Sequence, residues 1–130
     1  MASISDYVLD AALSKLDTEA NAIHITSQEA TTYTEATSTS SGYSLGSATS
    51  ISIGAPQDRM VNNAADGREV VLANVTGGNV STNGTADTFA IVDTTNNRLL
   101  ATGALASSQT VTSGNTFTLT GISIGIPDPT

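Results

Sequence analysis

Apolar residues near the start of the chain recur at helical spacing, and from residue 22 onward at every second position. Val8, Leu9, Ala12, Leu13, Leu16 and Ala20 form one stripe, which predicts a helix over residues 5–20 with one face on a sheet or on another subunit. Ser3 or Ser5 suits its cap, and Asp6 lies near the positive end of its dipole. Asp10, Ser14 and Asp17 take the outer face. The period then changes. Ala22-Ile23-His24-Ile25-Thr26 alternates, which predicts a short strand with both isoleucines on one side and His24 on the other.

Residues 27–50 hold almost no large aliphatic side chain except Leu45, and their Ser/Thr-rich composition reads as a long loop or extended arm. Ile51 and Ile53 alternate briefly before Gly54-Ala55-Pro56, and residues 57–67 read as a second loop ending in an Asp66-Gly67 turn. From Arg68 the pattern is consistently β. Val70 to Val75 is a strand, Thr76-Gly77-Gly78-Asn79 a hairpin turn and Val80 to Thr82 a return. Thr88 to Thr94 is apolar on both faces, as in an interior strand, and Thr95-Asn96-Asn97 turns it into a hairpin partner over Arg98 to Leu105. Thr110 to Thr112 is a brief strand ending at Ser113-Gly114-Asn115. Phe117 and Leu119 fall at odd positions but Ile122, Ile124 and Ile126 at even ones, so a β-bulge is expected near Thr120-Gly121. About seven or eight short strands with turns every ~8–12 residues indicate a mainly β fold. The expectation is one domain over residues 1–130: an antiparallel β-sandwich or small barrel with its core in 68–126 and one N-terminal α-helix.

Composition narrows the chemistry. The chain has 16 Ser and 21 Thr but no Cys, no Trp and one His. Thr is β-branched and suits an exposed pleated surface. Catalysis near neutral pH draws mostly on His, Cys, Lys and clustered carboxylates, which are scarce here. With five aromatic residues the core should be shallow, with neighbouring subunits supplying some of the stability. The net charge of −8, with Lys15, Arg59, Arg68 and Arg98 scattered, argues against nucleic acid and against an anionic membrane surface. No apolar run approaches the roughly 20 residues of a membrane helix, and the first residues lack the basic start of a signal peptide.

Each candidate site has an ordinary structural alternative. His24 has no second His or Cys to complete a metal or catalytic group, so it reads as a hydrogen-bonded strand residue. Asp87, Asp93 and the Asp93–Asn97 run are rich in oxygen, but the spacing is not that of an EF-hand, and an Asx-type turn accounts for it. Glu29 and Glu35 resemble a glycosidase pair only in residue type, with no Trp platform or apolar pocket nearby. Gly77-Gly78 has neither the helix nor the Lys of a phosphate loop. No catalytic, cofactor-binding or metal residue is therefore assigned. Tyr33, Tyr43 and Leu45, spaced through polar sequence, are the expected partner contacts, because Tyr buries a large area while keeping a polar tip.

Several segments resemble small structural proteins encoded by tailed bacteriophages: Gln28 to Thr37, Ser44-Leu45-Gly46, Phe89 to Asp93, Arg98 to Gly103 and Ser113 to Phe117. Within that class the size and Thr-rich β character look most like capsid decoration (cement) proteins. The resemblance implies a non-enzymatic virion protein, made in the host cytoplasm, that binds the outside of an assembled head and stabilises it. Its partners would be the major capsid protein and neighbouring copies of itself in a homo-oligomer. The class offers no catalytic motif to transfer. The alternatives are a head–tail connector or tail component, or a carbohydrate-binding β-sandwich module.

Overall fold

The computed structural model describes residues 3–129. The elements run α1 (Asp6–Glu19), β1 (Ala22–Thr26), α2 (Tyr33–Thr37), β2 (Ser44–Thr49), β3 (Gln57–Val61), β4 (Ala64–Val71), β5 (Val75–Val80), β6 (Gly84–Asp93), β7 (Arg98–Val111), β8 (Thr116–Leu119) and β9 (Ser123–Ile126). Half of the chain is strand and 15% is helix. The strands form two antiparallel sheets, a curled six-stranded half-barrel in the order β7-β6-β1-β2-β5-β8 and a three-stranded sheet in the order β3-β4-β9. The expected class, mainly β with an N-terminal helix and a sandwich or barrel architecture, is the one observed.

The main core lies between the concave face of the half-barrel, the small sheet and α1. Ile23, Ile25, Phe89, Ile91, Val80 and Phe117 face Val70, Leu72 and Ile53, with Leu13 and Leu16 of the helix completing the cluster. The buried stripe of α1 is Leu9, Leu13 and Leu16, narrower than the sequence suggested, and Val8 is exposed. Ser5 occupies the cap position, where its carbonyl accepts from the N–H groups of Val8 and Leu9 and its side chain makes no capping bond. The helix packs against β4. Arg68 of β4 fixes that packing, since its guanidinium donates to Asp10 of α1 at 2.8 Å and to Asp58 of β3 at 2.6 Å.

Four local expectations are corrected. Residues 57–67 are not a loop: β3 and β4 form a hairpin, turned by Asn62 and Asn63, both at positive φ. Asn tolerates the left-handed region that such a two-residue turn requires. Thr76-Gly77-Gly78-Asn79 is not a turn either but the body of β5. The ring of Phe117 lies where a Cβ on Gly78 would stand, and Gly77 at φ +82° sits in a register shift against β8, so the glycines mark a bulge and a close approach. The change of phase near Thr120-Gly121 is not a bulge. It is where the chain leaves the half-barrel after β8 and enters the small sheet as β9, with Gly121 at φ +70°. The fourth correction concerns residues 27–50, which form no arm. They contain α2 and end in β2, which is hydrogen-bonded between β1 and β5 inside the half-barrel. The core therefore begins at α1 and β1 rather than at Arg68.

An Ile-Ser-Ile-Gly sequence occurs twice, at 51–54 and at 122–125, and the two copies flank the end of β4. On one side the Gly54 N–H donates to the Val71 carbonyl and the Ala73 N–H to that of Ser52; on the other the Leu72 N–H donates to Ile122. Each copy sends isoleucines toward the main core and leaves its serine outward.

Candidate functional site

The convex face of the half-barrel is covered by the excursion that joins β1 to β2. β1 places Ile23 and Ile25 in the main core and turns Ala22, His24 and Thr26 to the other side. There Ala22, Ala90 and Val92 of the sheet meet Ala30 and Ala36 of the excursion, with Tyr33, Tyr43 and Leu99 packed around them. Small residues on both surfaces let a one-turn helix lie close to a sheet. The sequence builds α2 through a reciprocal cap: the Thr32 hydroxyl accepts the Glu35 N–H at 3.1 Å, and the Glu35 carboxylate accepts the Thr31 N–H at 3.0 Å. Thr32-Tyr33-Thr34-Glu35 carries that signal in the sequence.

On the same side of the sheet lie the groups that most resemble chemistry. His24 Nδ1 and the Ser44 hydroxyl share a hydrogen bond of 2.8 Å, and the hydroxyls of Thr26 and Thr88 bond to each other. Burial lowers the His24 pKa below its ordinary value, so the imidazole is neutral at physiological pH. A His–Ser pair is a hydrolase motif only when the hydroxyl reaches substrate and a third group orients the ring. Ser44 is 2% exposed, and among the described residues no carboxylate bonds to His24. The pair ties β1 to β2.

The remaining candidates are likewise occupied by the fold. Glu35 caps α2, and Glu29 accepts the Thr102 hydroxyl at 3.0 Å, so the two carboxylates serve separate contacts. Asp93 is buried at the end of β6, where it accepts the N–H groups of Thr95 and Asn96 and the Asn96 side-chain amide at 2.8 Å. The Asn96 side-chain bond, aided by those backbone bonds, holds its carboxyl below the usual carboxylate value. This is the Asx-type turn expected from the sequence. Asp87 lies apart, exposed, and accepts from Ser108. Among the described residues no three His, Cys, Asp or Glu side chains gather as a metal site would need.

Of the three expected partner contacts, Leu45 is corrected. It is 6% exposed and belongs to the main core, because the register of β2 slips at Ile25/Thr26 and turns it inward onto Gly84. Tyr33 and Tyr43 are half-buried against the molecule's own convex face. Sequence reasoning missed a second feature. β7 and β8 are joined by the short turn 112–115, yet they occupy opposite ends of the half-barrel sheet and do not pair. The seam between them opens into a cavity of about 480 Å³ lined by Leu105 to Ser107 and Gln109 to Val111 on one side and Thr116 to Thr120 on the other. A smaller hollow of about 250 Å³ continues it toward Ile122 and Ser123.

Comparison with protein families, curated proteins and solved structures returned no match to this chain.

Proposed function

We propose that this chain is a non-enzymatic structural protein of a tailed-bacteriophage particle, a decoration protein that binds the outer surface of the head and stabilises it. One observation carries the reading: the segments that resemble such phage proteins coincide with the framework of the half-barrel. Ser44-Leu45-Gly46 opens β2, Phe89 to Asp93 is the buried half of β6, Arg98 to Gly103 begins β7, and Ser113 to Phe117 is the turn into β8. Gln28 to Thr37 covers the convex face. The resemblance thus falls on three strands of the half-barrel, on the excursion that covers its convex face and on the turn that leads into β8. The occupied state of His24, Glu29, Glu35 and Asp93 supports a binding role over a catalytic one. A surface with few charges, rich in Ser and Thr, suits contact with other protein subunits without drawing nucleic acid.

The test is an image reconstruction of particles with and without this protein. Density on the outer shell that disappears with the protein is the expected result, together with a lower disruption temperature for the stripped heads. Density confined to the connector or the tail would overturn the decoration role, and turnover of a polysaccharide abolished by Glu29→Gln or Glu35→Gln would overturn the non-enzymatic one.

A further inference from the structure

We propose that the charge-free face around the β7–β8 seam is the docking surface for a second copy of this chain. Three observations lead there. Two open sheet edges, the outer side of β7 and the outer side of β8, border one cavity. The side chains that line it include Leu105, Val111 and Leu119, each partly exposed, above the ring of Phe117. Finally, no Asp, Glu, Lys or Arg occurs from Leu99 to Pro127, although all four basic residues and eleven of the twelve acids precede this stretch. Open edges are commonly guarded by charged side chains. The edge strand β3 follows that rule with Asp58 and Arg59, whereas the edges at the seam do not.

The charge distribution also selects the occupant. Two copies, each at −8, repel wherever their acidic surfaces meet, so a self-contact is favourable only through a neutral face. A foreign partner is under no such constraint, and for it the acidic surplus would be the natural handle. The charge-free seam is thus what like-charged copies require. Asp87, on β6 opposite the β7 bulge, is engaged by the Ser108 hydroxyl. The shape of β7 limits what such a contact becomes. Ala86 pairs with Gln109 and Thr88 with Ala104, so Leu105 to Ser108 leave the ladder opposite Asp87 alone. That bulge blocks continuous strand-to-strand addition and makes side-chain packing across the seam the mode of contact, which favours a discrete assembly over a fibre.

The experiment is sedimentation of the purified full chain from about 1 μM to about 1 mM, at low and high salt. Self-association is expected, and it should tighten as salt rises, because salt screens the repulsion between the acidic regions while the contact itself is neutral. Ala106→Lys and Thr118→Lys, both at exposed seam positions, should each raise the dissociation constant at least about tenfold by placing a charge in a desolvated contact. Each reduces the net negative charge, so general repulsion cannot explain that loss. Thr18→Lys on α1 makes the same charge change away from the seam and should leave association equal or stronger. Three outcomes would overturn the proposal: a monomer at all concentrations, association that weakens with salt, or equal weakening by Thr18→Lys and the seam lysines. No particle enters the measurement, so its failure is distinct from failure of the decoration role.

Discussion

Burial lowers the His24 pKa, and this has a definite sign in pH. The unfolded chain takes up a proton near the ordinary imidazole value of 6.5, before the folded chain does. Stability is therefore full above that value and declines as pH falls through it toward the lower folded-state pKa. Thermal unfolding between about pH 7 and pH 5 should show this slope, and His24→Gln should flatten it. Asp93 acts lower in the acid range. Its depressed pKa contributes stability above the ordinary carboxylate value of 3.8, which is lost as pH falls through the folded-state pKa. Asp93→Asn should destabilise at neutral pH and make little difference at strongly acid pH, as read from unfolding midpoints. Packing gives a third expectation. A Cβ on Gly46 would overlap the Asn79 carbonyl, which is backbone and cannot rotate away, whereas one on Gly103 meets the ring of Phe89. Gly46→Ala should cost about 3 kcal/mol or more in denaturant unfolding, and Gly103→Ala less.

At the scale of elements, β2 is an interior strand, and this changes what a deletion can do. Removing residues 27–50 takes out the strand that joins β1 to β5, so the product should be unfolded by circular dichroism rather than a trimmed sandwich. The cap of α2 is separable: Thr32→Ala should cost about 1 kcal/mol while leaving the half-barrel intact. Arg68→Met should loosen α1 from β4, seen as faster amide exchange along the helix, because the guanidinium is the shared partner of Asp10 and Asp58. The elements legible in the sequence were those with large side chains at a clear period. The helix α1, the alternation of Ile23 and Ile25, and the two-sided β6 with its hairpin into β7 all appear where expected, although the buried stripe of α1 is narrower. β2 was illegible because its burial comes from Ser, Gly and Ala fitted closely against β5, and composition scales score such residues as loop. The glycines of β5 and the phase change at Gly121 are ambiguous in one dimension. A bulge, a turn and a crossing between sheets leave similar marks, and only the partner strand distinguishes them. The site candidates show the same division. Asp93 read correctly as a turn residue, while Leu45 looked exposed because its polar neighbours gave no hint of a register slip.

For the molecule as a whole, the half-barrel is assembled from strands far apart in the chain. Ala22 lies opposite Val92 and Ser47 opposite Asn79, so β1 and β2 cannot complete their outer ladders until β6 and β5 have formed. Folding dominated by such distant contacts runs in roughly milliseconds to seconds. Stopped-flow refolding should fall in that range, with variants in the β6–β7 hairpin slowing it more than variants in α2, because the hairpin is the most local of the long ladders. A half-barrel with an open seam also has less self-sufficient burial than a closed barrel. Its unfolding midpoint should therefore rise with protein concentration if copies meet at that seam.

The passage of the chain from one sheet to the other at Gly121 has a mechanical consequence. β9 has one strand partner among the described residues, β4, through four antiparallel residue pairs from Ile126 to Ser123, and its isoleucines pack on the main core. A load on the C-terminus directed away from β4 would reach those pairs from their outer end and open them in succession, like a zipper, whereas one along the strand would meet them together in shear. Opening stops where β8 is anchored in the half-barrel by its own ladder to β5. Under the first kind of load the end of the chain would be drawn out by several residues while the half-barrel keeps its pairing, because two sheets share one strand-turn-strand segment.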